Sequence, residues 1–428
     1  MDTIFAQATA SGRAGVSIIR LSGDQAFSIA SEFCNVPVTG RSGLRFVRAA
    51  DGSLIDRALV LFFEAGASFT GEQVIEFHVH GGLATVAKLL AELSEFDGCR
   101  LANPGEFTRR ALENGQLDLN QVEALSDLID AETESQRKQA ICVLEGSFGE
   151  LGEVWRADLL RAVALIEASI DFSDEEIPDD LYLEVAELVG KTSVSVSSVL
   201  DRSSIAVKIR SGFTVAIVGT PNVGKSTLLN AIAGRQAAIT SDVAGTTRDV
   251  IETRVDLKGL AVTFLDTAGL HVSNDPIENL GISMAYKRSD TADVRIFLVE
   301  QATEALPFPA RPSDFVVLNK SDLRAKAGLS VSGKTGEGVS ELLHLIAESL
   351  LKKTSLDVVA IRERQVKGLN AANTLLLNVI ALTEQKPLPF ELASQELYFA
   401  LTELDFVFGK IDIENVLDEI FSSFCLGK

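Results

Sequence analysis

The sequence predicts a multidomain chain of α+β and α/β class. An N-terminal α+β domain is followed by a discontinuous helical bundle, into which a parallel α/β unit is inserted. Three observations lead there. Short β-rich runs bounded by Gly, Ser or Asp fill residues 1–116. Apolar residues recur at three and four through 117–210, and 353–428 turns helical again. Between them, 211–352 alternates strand-like and helix-like stretches, the pattern of a parallel sheet covered by helices.

Composition agrees with that division. A chain of 428 residues has room for two to four domains at ~150 residues each. Apolar residues at 46% and charged residues at 23% are the proportions of an ordinary soluble globular protein. No apolar run approaches the ~18 residues that span a bilayer, and the N-terminus lacks the basic-then-apolar order of a secretory signal. No membrane association is expected. Cys34, Cys99, Cys142 and Cys425 are far apart and show no CxxC spacing, which argues against a zinc knuckle and for reduced thiols in a cytoplasmic protein. The net charge of −21 repels phosphates, so an RNA substrate would need a local basic patch or a partner protein.

In chain order, Val16–Leu21, Ala58–Phe63 and Val74–His78 read as strands, and Leu83, Val86, Leu89, Leu90 and Leu93 mark one face of a helix. Leu125, Leu128 and Ile129, then Ile141 and Leu144, then Leu159, Leu160, Val163 and Ile166 form the apolar stripes of packed helices. The acidic run 171–180, with Pro178, interrupts them and reads as a solvated stretch rather than a metal cluster. Residues 360–421 are too few for a core of their own, so they are expected to fold back onto 117–210. The proline-rich 301–313 predicts an abbreviated connection where a Ras-like fold carries a helix.

The strongest local signal is GTPNVGKST, 219–227, between the strand FTVAIV and a helix. Asn222, Val223, Gly224, Lys225, Ser226 and Thr227 make a phosphate-cradling P-loop: the glycines let backbone N–H groups face phosphate oxygens, Lys225 neutralises the β- and γ-phosphates, and the Ser226 hydroxyl ligates Mg²⁺. In SDVAGTTRD, residues Ser241, Asp242, Val243, Ala244, Gly245, Thr246 and Thr247 form a loop that offers a second Mg²⁺ hydroxyl, assigned to Thr247. DTAG ends a strand; Asp266 can hold Mg²⁺ through water, and Thr267, Ala268 and Gly269 follow where a γ-phosphate is sensed. In NKSD, after Asn319, the Lys320 stem can cover a base and the Asp322 carboxylate can accept both guanine donors. Adenine lacks those donors, so Asp322 selects GTP. Ser332, Gly333 and Lys334 supply a backbone N–H to the guanine oxygen. In series with a P-loop, these motifs imply a GTPase. One position departs from the pattern: Leu270 stands where Ras-like GTPases carry the water-orienting glutamine, so the hydrolytic machinery must come from elsewhere.

With SFTGEQVIEFHVHGG (68–82), NPGEFTRRALENGQLDL (103–119), IDFSDEEI (170–177) and the terminal SSFCLGK, these motifs make the chain resemble the MnmE (TrmE) family of tRNA-modification GTPases nearly end to end. The resemblance implies a homodimeric, potassium-stimulated GTPase with an N-terminal tetrahydrofolate-binding and dimerisation domain (1–116), a helical domain in two parts (117–210 and 353–428) and a G domain (211–352). It further implies a flavin-dependent partner protein carrying FAD, in a heterotetramer or larger assembly. With a 5,10-methylene- or 5-formyl-tetrahydrofolate donor, the two would add a (carboxymethyl)aminomethyl group to carbon 5 of the wobble uridine of certain tRNAs, the tRNA being held mainly by the partner. Asn222, Ser241, Val243 and Thr246 match a K⁺ site, and Glu278 matches the acid that orients water; on its own, Glu278 reads as an exposed residue at a helix start.

For folate, Arg20, Glu76, Gln116 and Lys428 fall at matching positions. Read alone, Arg20 is equally a surface ion pair, and Glu76 an exposed strand face. Gln116 stands where the family often has lysine, and brings an amide without the charge. His78 and His80 alternate on one strand and, lacking a third ligand, read as packing or pocket residues rather than a metal pair. The tail excludes a prenylation box, because Gly427 and Lys428 stand where aliphatic residues belong. The resemblance sends it back to the folate pocket, with Cys425 as nucleophile or proton donor. A competing reading is an RNA- or ribosome-associated GTPase switch without folate chemistry.

Overall fold

Period-two alternation builds the N-terminal sheet. The computed structural model describes residues 2–171, 179–235, 252–266, 289–323, 328–352, 362–385, 388–411, 421 and 427. Contacts divide the chain into two units, Met1–Ser126 with Thr402–Lys428, and Asp127–Leu401. In the first, β1 (Thr3–Gln7), β2 (Ala14–Ser22), β3 (Ser42–Arg48), β4 (Leu54–Phe63), β5 (Val74–Gly81) and β6 (Cys99–Leu101) form one sheet in the order β3-β4-β5-β2-β1-β6. Only the β1–β6 pairing is parallel among these. Ile19 and Leu21 of β2 and Phe77 and Val79 of β5 share a core with Ile29, Phe33, Leu89 and Leu93 of the helices Ala26–Phe33 and Leu83–Ser94. Alternation therefore turns Arg20 and Glu76 to the opposite face, where register makes them direct cross-strand partners.

The loop between β4 and β5 is bolted down by charge. Arg110, on the helix Glu106–Glu113, is only 5% exposed. It donates to the Asp2 carbonyl at 2.8 Å and to both Glu72 oxygens at 3.1 Å. Glu72 also accepts from Ser22 Oγ at 2.6 Å. A buried charge of this kind is tolerated because both terminal guanidinium nitrogens find acceptors, the second at Asp2 Oδ1 and Glu106 Oε1. Phe421 is buried against Leu119 and Val122, which brings the C-terminal segment into this unit.

In the second unit, β7 (Phe213–Val218), β8 (Glu252–Leu257), β9 (Leu260–Asp266), β10 (Val294–Val299) and β11 (Phe315–Leu318) make a sheet in the order β11-β10-β7-β9-β8. All pairings are parallel except β8–β9. The helices Lys225–Ala233 and Val339–Leu351 contribute Leu228, Ile232, Leu342 and Ile346 to its core. The β10–β11 connection contains no helix. Pro307, Pro309 and Pro312 deprive it of backbone donors, and Arg295, 3% exposed, organises it instead. Its guanidinium meets Asp314 at 2.6 Å and lies over the Phe308 ring at 4.7 Å.

Chain segments on either side of this sheet pack together. The helix Glu363–Thr383 lies on the helix Asp179–Ser211, and Ser193 Oγ donates to Asn373 Oδ1 at 2.8 Å. Where the chain leaves and rejoins the helices, one carboxylate oxygen serves both crossings. Asp127 Oδ1 accepts from Arg210 Nε at 2.9 Å and from an Arg362 guanidinium nitrogen at 2.7 Å. No helix among the described residues is long and apolar enough to cross a membrane.

Candidate functional site

Parallel strands that end at the same edge place the four described motif segments together, as expected of a doubly wound sheet. β7 runs into the P-loop, β9 ends at Asp266, β11 ends at Leu318 just before Asn319, and the segment 330–338 pairs beside β11 through the Leu318–Ser330 bridge. Among the described residues, only Asn222 (φ 61°), Lys258 (φ 54°) and Lys320 (φ 60°) are non-glycine residues with left-handed backbone. Two of the three lie in this site. Such conformations persist only where the surroundings impose them, and they concentrate at ligand-holding loops.

Gly224 explains the fixed glycine of the P-loop. Its φ is +104°, and a Cβ there would collide with the Asn319 amide nitrogen. Asn319 in turn donates from its side chain to the Val223 carbonyl and from its backbone to Val299 O at 2.9 Å, tying the base-binding loop to the phosphate-binding loop. Lys225 is 6% exposed. Its Nζ donates to the carbonyls of Gly219 at 2.9 Å and Thr220 at 3.1 Å. Burial pushes its pKa down, against the pull of Asp266. A buried ammonium held by main-chain oxygens alone is strongly responsive to a phosphate.

Ser226 Oγ donates to Asp266 Oδ2 at 2.7 Å, and Asp266 Oδ1 is buried with no hydrogen-bond partner among the described residues. A hydroxyl and a half-satisfied carboxylate side by side fit a hard, oxygen-seeking cation such as Mg²⁺. Asp322 and Lys334 are exposed, and Ser332 is buried, its N–H bonded to Glu337 O at 2.9 Å. Ser321 N donates to Val331 O at 3.1 Å, which ties NKSD to the residue that precedes SGK. Asn222, Ser226 and Thr227 are exposed at the mouth, and Val223 is buried beneath it. Ser241, Asp242, Val243, Ala244, Gly245, Thr246, Thr247, Thr267, Ala268, Gly269, Leu270, Glu278, Cys425 and Lys428 lie outside the described residues, as do the side chains of 172–180.

A second cluster lies in the N-terminal unit. Arg20 Nε donates to Glu76 Oε1 at 2.9 Å, the two side chains being 21% and 14% exposed. His78 Nε2 meets the other Glu76 oxygen at 3.1 Å, while His80 pairs instead with Asp56 at 2.8 Å. The Arg20 guanidinium lies between the Phe69 and Phe107 rings, 5.7 and 5.6 Å from their centroids. Neither ring is identifiable from spacing, although each sits in a motif segment, SFTGEQ or GEFTRR. Gln116 is exposed and lies against Gly71, in the loop that also carries Phe69. The tail returns to this unit. Gly427 has φ +94°, and a Cβ there would collide with the Gln7 carbonyl at the end of β1, next to the Arg20 strand.

Comparison with known proteins covers the segments that carry both clusters. The family described as "GTP-binding protein TrmE N-terminus" matches residues 3–116, and "MnmE helical domain" matches 119–425. The tRNA modification GTPase MnmE of Roseobacter denitrificans is 52% identical over all of both chains, and that of a Ruegeria species is 50% identical over the same extent. Among solved structures, the FeoB G domain of Methanococcus jannaschii aligns with 32% of this chain and 98% of its own, at 20% identity and a TM-score of 0.25. Two family matches that together cover nearly every residue, and relatives identical at half of all positions over their full length, place the chain in the MnmE (TrmE) family of tRNA modification GTPases.

Proposed function

We propose that the chain is a potassium-stimulated GTPase that acts, with a flavin-dependent partner protein and a tetrahydrofolate one-carbon donor, in installing an aminomethyl-type group at carbon 5 of the wobble uridine of certain tRNAs. One observation carries the GTPase part: P-loop, Asp266, NKSD and SGK converge at one sheet edge, with Asp266 Oδ1 left for a cation. Lys225 binds and neutralises the phosphates; Asp322 takes guanine by its two donors. Ser226, Thr247 and Asp266 would hold Mg²⁺, which supplies charge compensation on the β- and γ-phosphates. Asn222, Ser241, Val243 and Thr246 would hold K⁺, supplying the positive charge that an arginine finger gives elsewhere. Glu278 orients water, which Leu270 cannot do.

The Arg20–Glu76 pair, flanked by Phe69 and Phe107, fits a ligand with a flat heteroaromatic ring, a carboxylate tail and adjacent N–H donors, which describes a folate. Gln116 and the returning tail border the same unit, so Lys428 and Cys425 are assigned to that pocket. Homodimerisation through 1–116 and tRNA binding mainly through the partner belong to the same reading; a net charge of −21 favours a partner for RNA.

The deciding experiment is GTP turnover by the full chain in KCl against NaCl, with and without 5-formyltetrahydrofolate and a flavoprotein partner. Faster turnover in KCl and tRNA modification that needs folate are expected. A rate indifferent to the cation overturns the potassium assignment, and modification without folate overturns the donor.

A further inference from the structure

We infer that Glu300 is a positioning residue for guanine recognition, acting through Lys320. The inference rests on NKSD binding the base, and it adds a residue that no nucleotide motif contains. Glu300 follows the last residue of β10, and its Oε1 lies 2.6 Å from Lys320 Nζ. Both ends of this contact are fixed. Lys320 leaves a left-handed backbone position (φ 60°) immediately after Asn319, which is anchored to Val299 and Val223. Glu300 N donates to Glu304 Oε2 at 2.9 Å, which holds the turn that presents its carboxylate. A lysine stem is among the most mobile side chains, and ordering it at the moment of binding reduces affinity. Here the stem is stretched between a set backbone and a set carboxylate before any nucleotide arrives. Its methylenes are thereby laid out as a preformed cover for one face of a planar base, while Asp322 reads the edge.

Because the base is common to both nucleotides, the effect falls equally on GDP and GTP. The probe is a fluorescent GDP analogue titrated into the full chain, with GTP turnover measured alongside. Glu300→Gln is expected to raise Kd by about three- to tenfold. The loss should appear in KM rather than in kcat. In a Lys320→Met background, Glu300→Gln should have no further effect, because its target is gone. An unchanged Kd overturns the inference, and so does an equal loss in both backgrounds or a loss confined to kcat. Failure of the native chain to bind GDP would instead overturn the guanine reading of NKSD itself.

Discussion

Under the proposed function, the two clusters solve the same problem, holding a charged ligand, by different means. The phosphate-binding part of the nucleotide site is shaped largely by main chain. Lys225 is buried and bonded only to carbonyls, Gly224 is forced by a neighbouring amide, and the loops are joined by backbone hydrogen bonds. The N-terminal cluster is made of side chains. Arg20 and Glu76 meet because two strands pair in one register, and both remain partly open to solvent. A main-chain site is specified by consecutive residues and tolerates few substitutions. A side-chain site is assembled from distant segments, and its parts contribute more evenly.

Three substitutions test that contrast. Lys225→Ala should have the largest effect, weakening GTP binding by about a hundredfold or more, since it removes charge-assisted bonds from a buried position. Equilibrium nucleotide titration reads it, and 5-formyltetrahydrofolate binding should be unaltered. Glu76→Gln should be intermediate: folate affinity falls by about tenfold, with GTP turnover retained. A variant that lost both activities would show that the clusters are not separable. The smallest change is expected for Phe69→Ala, about threefold in folate affinity, from loss of the aromatic surface over Arg20. If Phe69→Ala exceeded Glu76→Gln, stacking rather than charge would dominate that pocket.

Legibility in the sequence follows the same division. The P-loop strand and its helix are readable because the signal is contiguous, and the helix 83–94 because its apolar period is unbroken. The β8–β9 hairpin is not readable. It turns at Lys258–Gly259, both with positive φ, and lysine is an unusual residue at a position that Asn or Asp normally announces. β6, of three residues, is too short to show alternation. That Arg20 and Glu76 would bond each other, rather than each standing alone, depends on pairing across 56 residues. That Lys320 meets Glu300 depends on β10 and β11 lying side by side. No local pattern encodes either.

Asp127 gives the inserted unit a different status from a domain merely strung between two others. Since Arg210 and Arg362 share one of its oxygens, the helices see the whole excursion between them as a loop already closed at its base. The entropic cost of a closed loop rises only as the logarithm of its length. What the loop contains, whether a short turn or an entire nucleotide-hydrolysing sheet, therefore matters little to the helices that carry it. A fold arranged this way can acquire, enlarge or exchange its engine without renegotiating its frame.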